Sequence, residues 1–115
     1  MNVEHFSMGL ILHAGNAKSF LHEALHDARN GNFEPVDAKV QHASAELLEA
    51  HKLQTQFIQE DANDGMERLP VIVVHAQDHL MTVMSEKDLI KEMIEIYRKQ
   101  FNMNLKIEQL MEAVK

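Results

Sequence analysis

The sequence is poor in the residues that cross-link chains or interrupt helices. It has no cysteine and no tryptophan, and among its 115 residues there are only four glycines and two prolines. The absence of cysteine excludes disulfides, thiolate metal ligands and cysteine nucleophiles. Alanine, leucine, glutamate and methionine are plentiful instead, and this balance is typical of a helical bundle.

Positive charge and long apolar runs are scarce as well. The 18 acidic residues outnumber the 11 Lys and Arg, and the formal net charge of -7 argues against a nucleic-acid partner. The longest strongly apolar run, residues 71–74, is too short to span a bilayer, and the start of the chain lacks the features of a signal peptide. We therefore expect a cytoplasmic protein without direct membrane insertion, built as a single domain over residues 1–115.

The first half of the chain carries two segments with the three-and-four spacing of apolar residues that marks amphipathic helices. The first runs from about Glu4 to Asn30, and the second from about Phe33 to Ala62. Between them, Gly31 suits the left-handed position that ends a helix, and Asn32 suits the N-cap of the next one. Such a short connection predicts that the two helices are antiparallel neighbours.

A third helix is predicted to begin near Val71, after a helix end at Asn63–Gly65 and a loop at Met66–Pro70. The β-branched residues 71–74 alone favour a strand, but the chain offers no partner strand and a helical pattern follows for about seven turns. One face of this helix carries Leu80, Val83, Ile90, Ile94, Tyr97 and Phe101. The second face carries Val74, Asp78, Met81, Ser85 and Leu89, and we expect it at an oligomer interface.

The predicted fold is all-α, an antiparallel up-down-up three-helix bundle whose thin core favours self-association. The polar stretch Asn102–Asn104 interrupts the helical pattern. About 101–115 therefore form a C-terminal extension of unknown role, in which Leu105–Val114 is expected as a short extra helix or a frayed tail.

The segment His75-Ala76-Gln77-Asp78-His79, near the start of the third helix, carries the main functional signal. On a helix, His75 and His79 share one face and Asp78 lies beside them. Pro70 places His75 in the first turns, where free backbone N–H groups and the helix dipole favour an anion such as phosphate. His75 is compatible with a metal ligand, a general base or a phosphoryl acceptor.

The residues alone leave other interpretations open. The spacing of the two histidines also occurs in zinc proteases, but Ala76 stands where their motif has glutamate, and only His51 and Asp78 offer a third ligand. His51 and Gln54 also form a polar interruption of the second helix. All of these side chains are equally compatible with a solvated helix end or with polar partners at a subunit interface. Solvated faces are expected for the other histidines: His5, His13, His22, His26 and His42.

The segment His-Ala-Gln-Asp-His-Leu-Met-Thr at residues 75–82 closely resembles the active-site motif of one family, the lactose/cellobiose-type enzyme IIA of the phosphoenolpyruvate-dependent sugar phosphotransferase system. The resemblance extends from about Met8 to Lys99 in the order and spacing of the family. It includes residues 14–19 and 23–25 in the first helix, 31–33 at the turn, and 50–51, 54–55 and 58–60 in the second helix. Asn32 and Lys18 replace the usual aspartate and arginine.

The resemblance implies a phosphoryl carrier that assembles as a homotrimer, a nine-helix bundle. His75 matches the histidine that accepts a phosphoryl group from the histidine phosphocarrier protein and passes it to the IIB component of a disaccharide permease. Asp78 matches an aspartate near the trimer axis, where one Mg²⁺ per trimer is bound. The possible supporting residues around the acceptor are His79, Gln77, His51 and Gln54.

Two further hypotheses remain at this point. A regulatory or structural trimer of the same fold would act by binding a partner, an interpretation motivated by the unassigned extension. An independent zinc hydrolase is the more distant one. An enzyme IIA of this type does not bind the sugar, so the sequence does not choose among lactose, cellobiose and diacetylchitobiose.

Overall fold

The computed structural model describes residues 2–63 and 68–115. It contains three α-helices: α1 Val3–Arg29, α2 Val36–Asn63 and α3 Val71–Ala113. Over the described ranges there is no strand, so the all-α prediction is confirmed and the β-branched residues 71–74 form the first turn of α3. The residues Asp64–Glu67, within the predicted helix end and loop, lie outside the described residues. In the same ranges, no helix is long and apolar enough to cross a membrane.

Contacts between the helices establish the up-down-up order. Along α1 and α2, Phe6 stacks on Phe57 with ring centroids 4.7 Å apart, whereas Asp27, near the other end of α1, accepts a 2.6 Å hydrogen bond from Lys39. The two helices are therefore antiparallel. In contrast, α3 runs parallel to α1. Gly15 of α1 lies beside His79 of α3, and seven residues later in both helices His22 pairs with Glu86 at 3.3 Å.

The core is centred on α1, which packs along both other helices, while α2 and α3 touch each other far less. The apolar stripe predicted for the first helix is confirmed, because all of its members are buried: Phe6, Leu10, Ala14, Ala17, Leu21, Ala24 and Ala28. Their mostly small side chains allow close approach of the neighbouring helices. Beside this stripe, a Cβ added at Gly9 would lie 3.1 Å from Leu53 Cδ1, which shows how closely α2 approaches. One helix thus organises the bundle.

The connection from α1 to α2 differs in part from its prediction. Gly31 has a φ of +78°, as expected for the residue after a helix end. Asn32, however, does not cap α2: its backbone N–H donates to the Asp27 carbonyl at 2.9 Å, while that of Gly31 donates to Ala28. This pair of bonds is a Schellman motif that closes α1. The α2 helix begins only at Val36, because a residue before proline disfavours helical dihedrals and Pro35 delays the helix start.

The prediction of a break at Asn102–Asn104 is wrong. The α3 helix continues through this stretch to Ala113, so that Leu105–Val114 is neither a separate helix nor a frayed tail. Asparagine costs an exposed helix only about 0.7 kcal/mol relative to alanine, and the segment holds no glycine or proline that would end the helix. The 43 residues of α3 give a rod about 65 Å long and explain why the molecule measures 75 × 18 × 18 Å.

The bundle ends at a small aromatic cluster beneath the extension. The ring of Phe101 meets Phe33 edge-on at a centroid distance of 5.4 Å, and its side chain lies 3.4 Å from where a Cβ on Gly31 would be. Arg98 lies over the Phe33 ring at 5.3 Å and donates to Asp37 at 2.8 Å. From Phe101 to the C-terminus every residue is exposed. The extension is therefore anchored at its base and projects beyond the bundle.

Candidate functional site

The start of α3 places His75 as the sequence predicts. Pro70 is the N-cap residue with extended dihedrals, φ −62° and ψ 145°, so His75 lies in the second turn of the helix. The Pro70 carbonyl accepts hydrogen bonds from the N–H groups of Val73 and Val74, at 3.1 and 3.4 Å. Two of the backbone N–H groups that the sequence suggested would be free to bind an anion therefore already donate hydrogen bonds within the helix. What remains favourable to an anion near His75 is the positive end of the helix dipole.

The two histidines share one face of α3, and their rings are parallel. The interplanar angle is 1° and the centroids are 6.3 Å apart. His79 is partly buried against α1, where its Nε2 lies 3.9 Å from the place a Cβ on Gly15 would occupy. His75, one turn earlier, is exposed. The imidazole of His79 thus lies against α1 near Gly15, while His75 presents its own ring to the solvent.

The two glutamines lie on the other side of α3. Gln54 of α2 donates through Nε2 to Oε1 of Gln77 at 2.5 Å, and the same nitrogen lies 3.8 Å from the Met81 sulfur. Residues two apart on a helix point in different directions, so Gln77 cannot face α2 and also stand beside His75 or His79. Within one chain the structure joins the two glutamines to each other and does not bring them to the histidine pair.

His51 belongs to a groove between α2 and α3. It is exposed and lines this groove together with Met81, Ser85 and Asp88. The groove's lining comes from residues 44–51 and 81–88, so His51 faces the turns of α3 that follow the histidine pair. The groove exists because α2 and α3 both pack on α1 and leave a gap between themselves.

Asp78 is exposed on the outer face of α3, between Val74 and Met81, whose side chains are 50% and 53% exposed. In the parts of the chain that the structure describes, no group of three or more His, Cys, Asp or Glu side chains is placed to hold a metal ion. Among the described residues Asp78 is therefore an isolated carboxylate, and a metal ion bound to it would need ligands from elsewhere.

Of the histidines expected on solvated faces, His13 has a distinct environment. Its Nδ1 lies 2.6 Å from a carboxylate oxygen of Glu46, and both side chains are about 70% buried. The contact joins α1 to α2 across 33 residues of sequence. No local pattern could have revealed it, because a pairing over that distance depends on how the helices align.

The fold and the site together define a class of protein. An exposed imidazole on a rigid helix, close to its positive end and beside a second, packed imidazole, suits reversible transfer of a phosphoryl group, since neutral histidine is a nucleophile at physiological pH. Next to the histidine pair, the outer face of α3 is apolar and exposed and carries one carboxylate, that of Asp78. A three-helix phosphoryl carrier is the class that these features describe.

The family model described as "PTS system, Lactose/Cellobiose specific IIA subunit" matches residues 5–98. The chain belongs to this family, and it is an enzyme IIA component of the sugar phosphotransferase system that acts through a phosphohistidine. The match ends before the projecting part of α3, so the extension lies outside the region that the family shares.

Individual relatives agree with this assignment. The N,N′-diacetylchitobiose-specific EIIA component of Escherichia coli is 41% identical over 97 residues, which are 84% of this chain and 84% of that protein. The crystal structure of the cellobiose-specific enzyme IIA from Bacillus anthracis superposes with a TM-score of 0.83 at 37% identity and covers 89% of this chain and 94% of that one. The E. coli IIA(chitobiose) in complex with HPr gives a TM-score of 0.76 at 39% identity, with 87% and 97% coverage.

Proposed function

We propose that His75 is the residue of this enzyme IIA that carries the phosphoryl group, taking it from the histidine phosphocarrier protein and passing it to the IIB component of a disaccharide permease. The observation that supports this choice is the contrast within the histidine pair. His75 is exposed at the start of α3, whereas His79 is packed against α1 at Gly15. A carrier must meet two protein partners in turn, and only an accessible ring can do so.

The transfer consists of two substitutions at phosphorus. A ring nitrogen of His75 forms a bond to the phosphorus of the donor phosphohistidine while the donor's own nitrogen–phosphorus bond breaks, and the donor imidazole recovers its electron pair. The second step reverses these roles toward the IIB component. Because the transferring group is metaphosphate-like in the transition state, the protein's task is to position the ring and to balance charge. His79 is suited to orient His75, since its own ring is held by packing.

The remaining supporting residues would act from a neighbouring subunit. We place the outer face of α3, with Asp78, around the axis of a homotrimer. On α3 the histidine pair lies on the flank toward α1, whereas Gln77 lies on the flank toward α2, where it meets Gln54. His51 lies on the same side of the subunit, on α2. Around a threefold axis, the α1 flank of one copy faces the α2 flank of the next. Such an arrangement would bring glutamine donors to the phosphoryl oxygens on His75.

Mg²⁺ on the trimer axis is part of the same proposal. One chain offers only a single carboxylate at Asp78, but three copies would supply the oxygen ligands that Mg²⁺ prefers. When bound, the ion would neutralise three carboxylates that otherwise repel one another. Its role would be to hold the assembly together, and the transfer at His75 needs no bond to it. We place the protein in the cytoplasm, where its net charge of -7 suits a freely diffusing carrier.

Intact-protein mass spectrometry tests the assignment of His75. The full chain is incubated with phosphoenolpyruvate, enzyme I and the histidine phosphocarrier protein, and wild type is compared with His75→Ala. We expect one acid-labile phosphoryl group on wild type and none on the variant. His5→Ala, which removes another exposed histidine, is the matched control and should be labelled like wild type.

Three results would count against the proposal. Labelling of His75→Ala would mean that another residue is the acceptor. Loss of labelling in His5→Ala would show that the assay does not isolate the site. A folded, trimeric wild-type protein that takes up no phosphoryl group would favour the regulatory or structural trimer.

A further inference from the structure

The apolar outer face of α3 continues beyond the bundle in a regular pattern. Over residues 89–114 its positions alternate in steps of four and three, the spacing of the a and d positions in a coiled coil. We call the apolar members of this pattern the outer strip: Leu89, Met93, Ile96, Met103, Ile107, Leu110 and Val114. Each of them is at least 43% exposed. Only Gln100 interrupts the strip with a polar side chain.

The opposite face of α3 changes character where the bundle ends. Inside the bundle this inner face is apolar, with Ile90 and Ile94 buried against the other helices. Beyond Leu105 the same face carries Glu108 and Glu112. A segment made to fold back on its own bundle would keep its inner face apolar. In the extension, by contrast, the outer strip is what persists.

The extension continues a helix that is already formed in the bundle, but its apolar side chains are left exposed. Contiguous exposed apolar side chains on a projecting helix also mark an interaction surface. We therefore expect a partner to cover the outer strip.

We propose that residues 103–114 form a parallel three-helix coiled coil with the same residues of two other copies of this chain. The inference rests on the trimer proposed above. The strip is continuous along one helix with the face that holds Asp78. If the three α3 helices stay parallel and in contact along their length, an arrangement that gathers three Asp78 side chains around an axis also brings together the three copies of Leu110. A separate partner for the extension would not require this continuity.

The flanking positions are compatible with parallel pairing. In the register of the outer strip, Lys99 and Lys106 occupy g positions, and each faces the e position five residues further along the neighbouring helix. Those e positions hold Asn104 and Met111, so no two like charges are opposed. Gln100 lies at an a position, where a polar residue helps to fix register at some expense of stability.

A single introduced cysteine tests this arrangement, because the chain has none of its own. Leu110→Cys places the thiol in the strip, and Leu105→Cys places it on the opposite side of the same extension. In the full-length trimer under mild oxidation, we expect Leu110→Cys to form a disulfide-linked pair about tenfold faster or more than Leu105→Cys, since only the former brings the Cβ atoms within disulfide range. Equal rates in a trimeric protein would overturn the inference and leave the trimer intact.

Charge substitutions provide a second test on the full chain. Leu110→Asp would gather three carboxylates at the centre of the coiled coil, so we expect the trimer dissociation constant, measured by sedimentation equilibrium, to rise about tenfold or more. Leu105→Asp is the matched control and should change it by no more than about twofold. If both variants behave alike, the inference fails. If the wild type is monomeric at micromolar concentration, the proposed trimer fails together with it, while labelling of His75 still reports on the carrier function.

Discussion

The two ends of α3 place their polar and apolar residues in opposite ways. At its start the inner side of the helix is apolar and covered by the bundle, whereas its exposed sides carry His75 and Asp78 beside Val74 and Met81. At its end the inner side is polar and free of the bundle, and the outer side is apolar. If the proposals above hold, α3 contributes to the intrachain core, to the reaction site and to an interchain contact, each through a different length and face of the helix.

A pair of leucine truncations on the two faces of α3 tests this division most strongly. Leu80 on the inner face is fully buried, whereas Leu89 on the outer strip is 58% exposed. We expect Leu80→Ala to reduce the free energy of unfolding by about 2–5 kcal/mol at any protein concentration, because it leaves a cavity in the core. Leu89→Ala should lower the free energy of unfolding only at protein concentrations at which the folded chain is trimeric, because Leu89 contributes to the contact between chains.

Urea unfolding at two protein concentrations separates the two cases. A loss for Leu89→Ala that is the same at both concentrations would mean that the outer strip contributes to the monomer. Equal losses for the two variants would remove the distinction between the faces altogether.

Substitutions at two glycines should change the free energy of unfolding by smaller amounts and with opposite signs. Gly31 has a left-handed backbone, so Gly31→Ala should cost about 1–2 kcal/mol and should also disturb Phe101, whose side chain would lie 3.4 Å from the new methyl group. Gly15 lies inside α1, where a Cβ would meet only His79 Nε2 at an ordinary 3.9 Å. Gly15→Ala should therefore stabilise the fold by up to about 1 kcal/mol. Thermal unfolding of both variants gives the signs, and a gain for Gly31→Ala would contradict the account of the turn.

The smallest expected effect is on the pH dependence of stability, through the ion pair between Lys39 of α2 and Asp27 of α1. A hydrogen bond to Asp27, with further attraction from its charge and that of Glu23, raises the pKa of Lys39 above the usual 10.5. Because the folded-state pKa is the higher one, the stabilisation by Lys39 is complete below pH 10.5 and is lost as the pH rises through the folded pKa. Lys39→Met should lose this part of the pH dependence. Identical unfolding curves for the variant and wild type through that range would show that the pair contributes nothing measurable.

Most of the fold was predictable from the sequence because its signals are local. The apolar stripe of α1, Gly31 in the turn and Pro70 before α3 each act within a few residues, and all three are observed where predicted. Two predictions failed where a weak signal was given too much weight. Asn32 participates in the closure of α1 instead of the start of α2, and Asn102–Asn104 does not stop a helix that has no glycine or proline at that point.

From the sequence, only those features of the site that lie within a single helix were predictable. The shared face of His75 and His79 follows from their spacing, and the resemblance of their segment to a known motif supplied the role. The pairing of Gln54 with Gln77 spans 23 residues and two helices, so it depends on the packing of α2 beside α3. For the same reason the sequence could not separate residues that meet within one chain from residues that would meet only between copies.

The unbroken length of α3 also determines where a probe can be attached to the protein. His75 and Leu110 are 35 residues apart on one helix, which corresponds to about 52 Å. A fluorophore or a surface tether attached at the C-terminus would therefore stand well clear of any protein that docks at His75. The same rod would hold such a probe at a nearly constant distance from the imidazole of His75, so that distances between the probe and a docked protein could be measured.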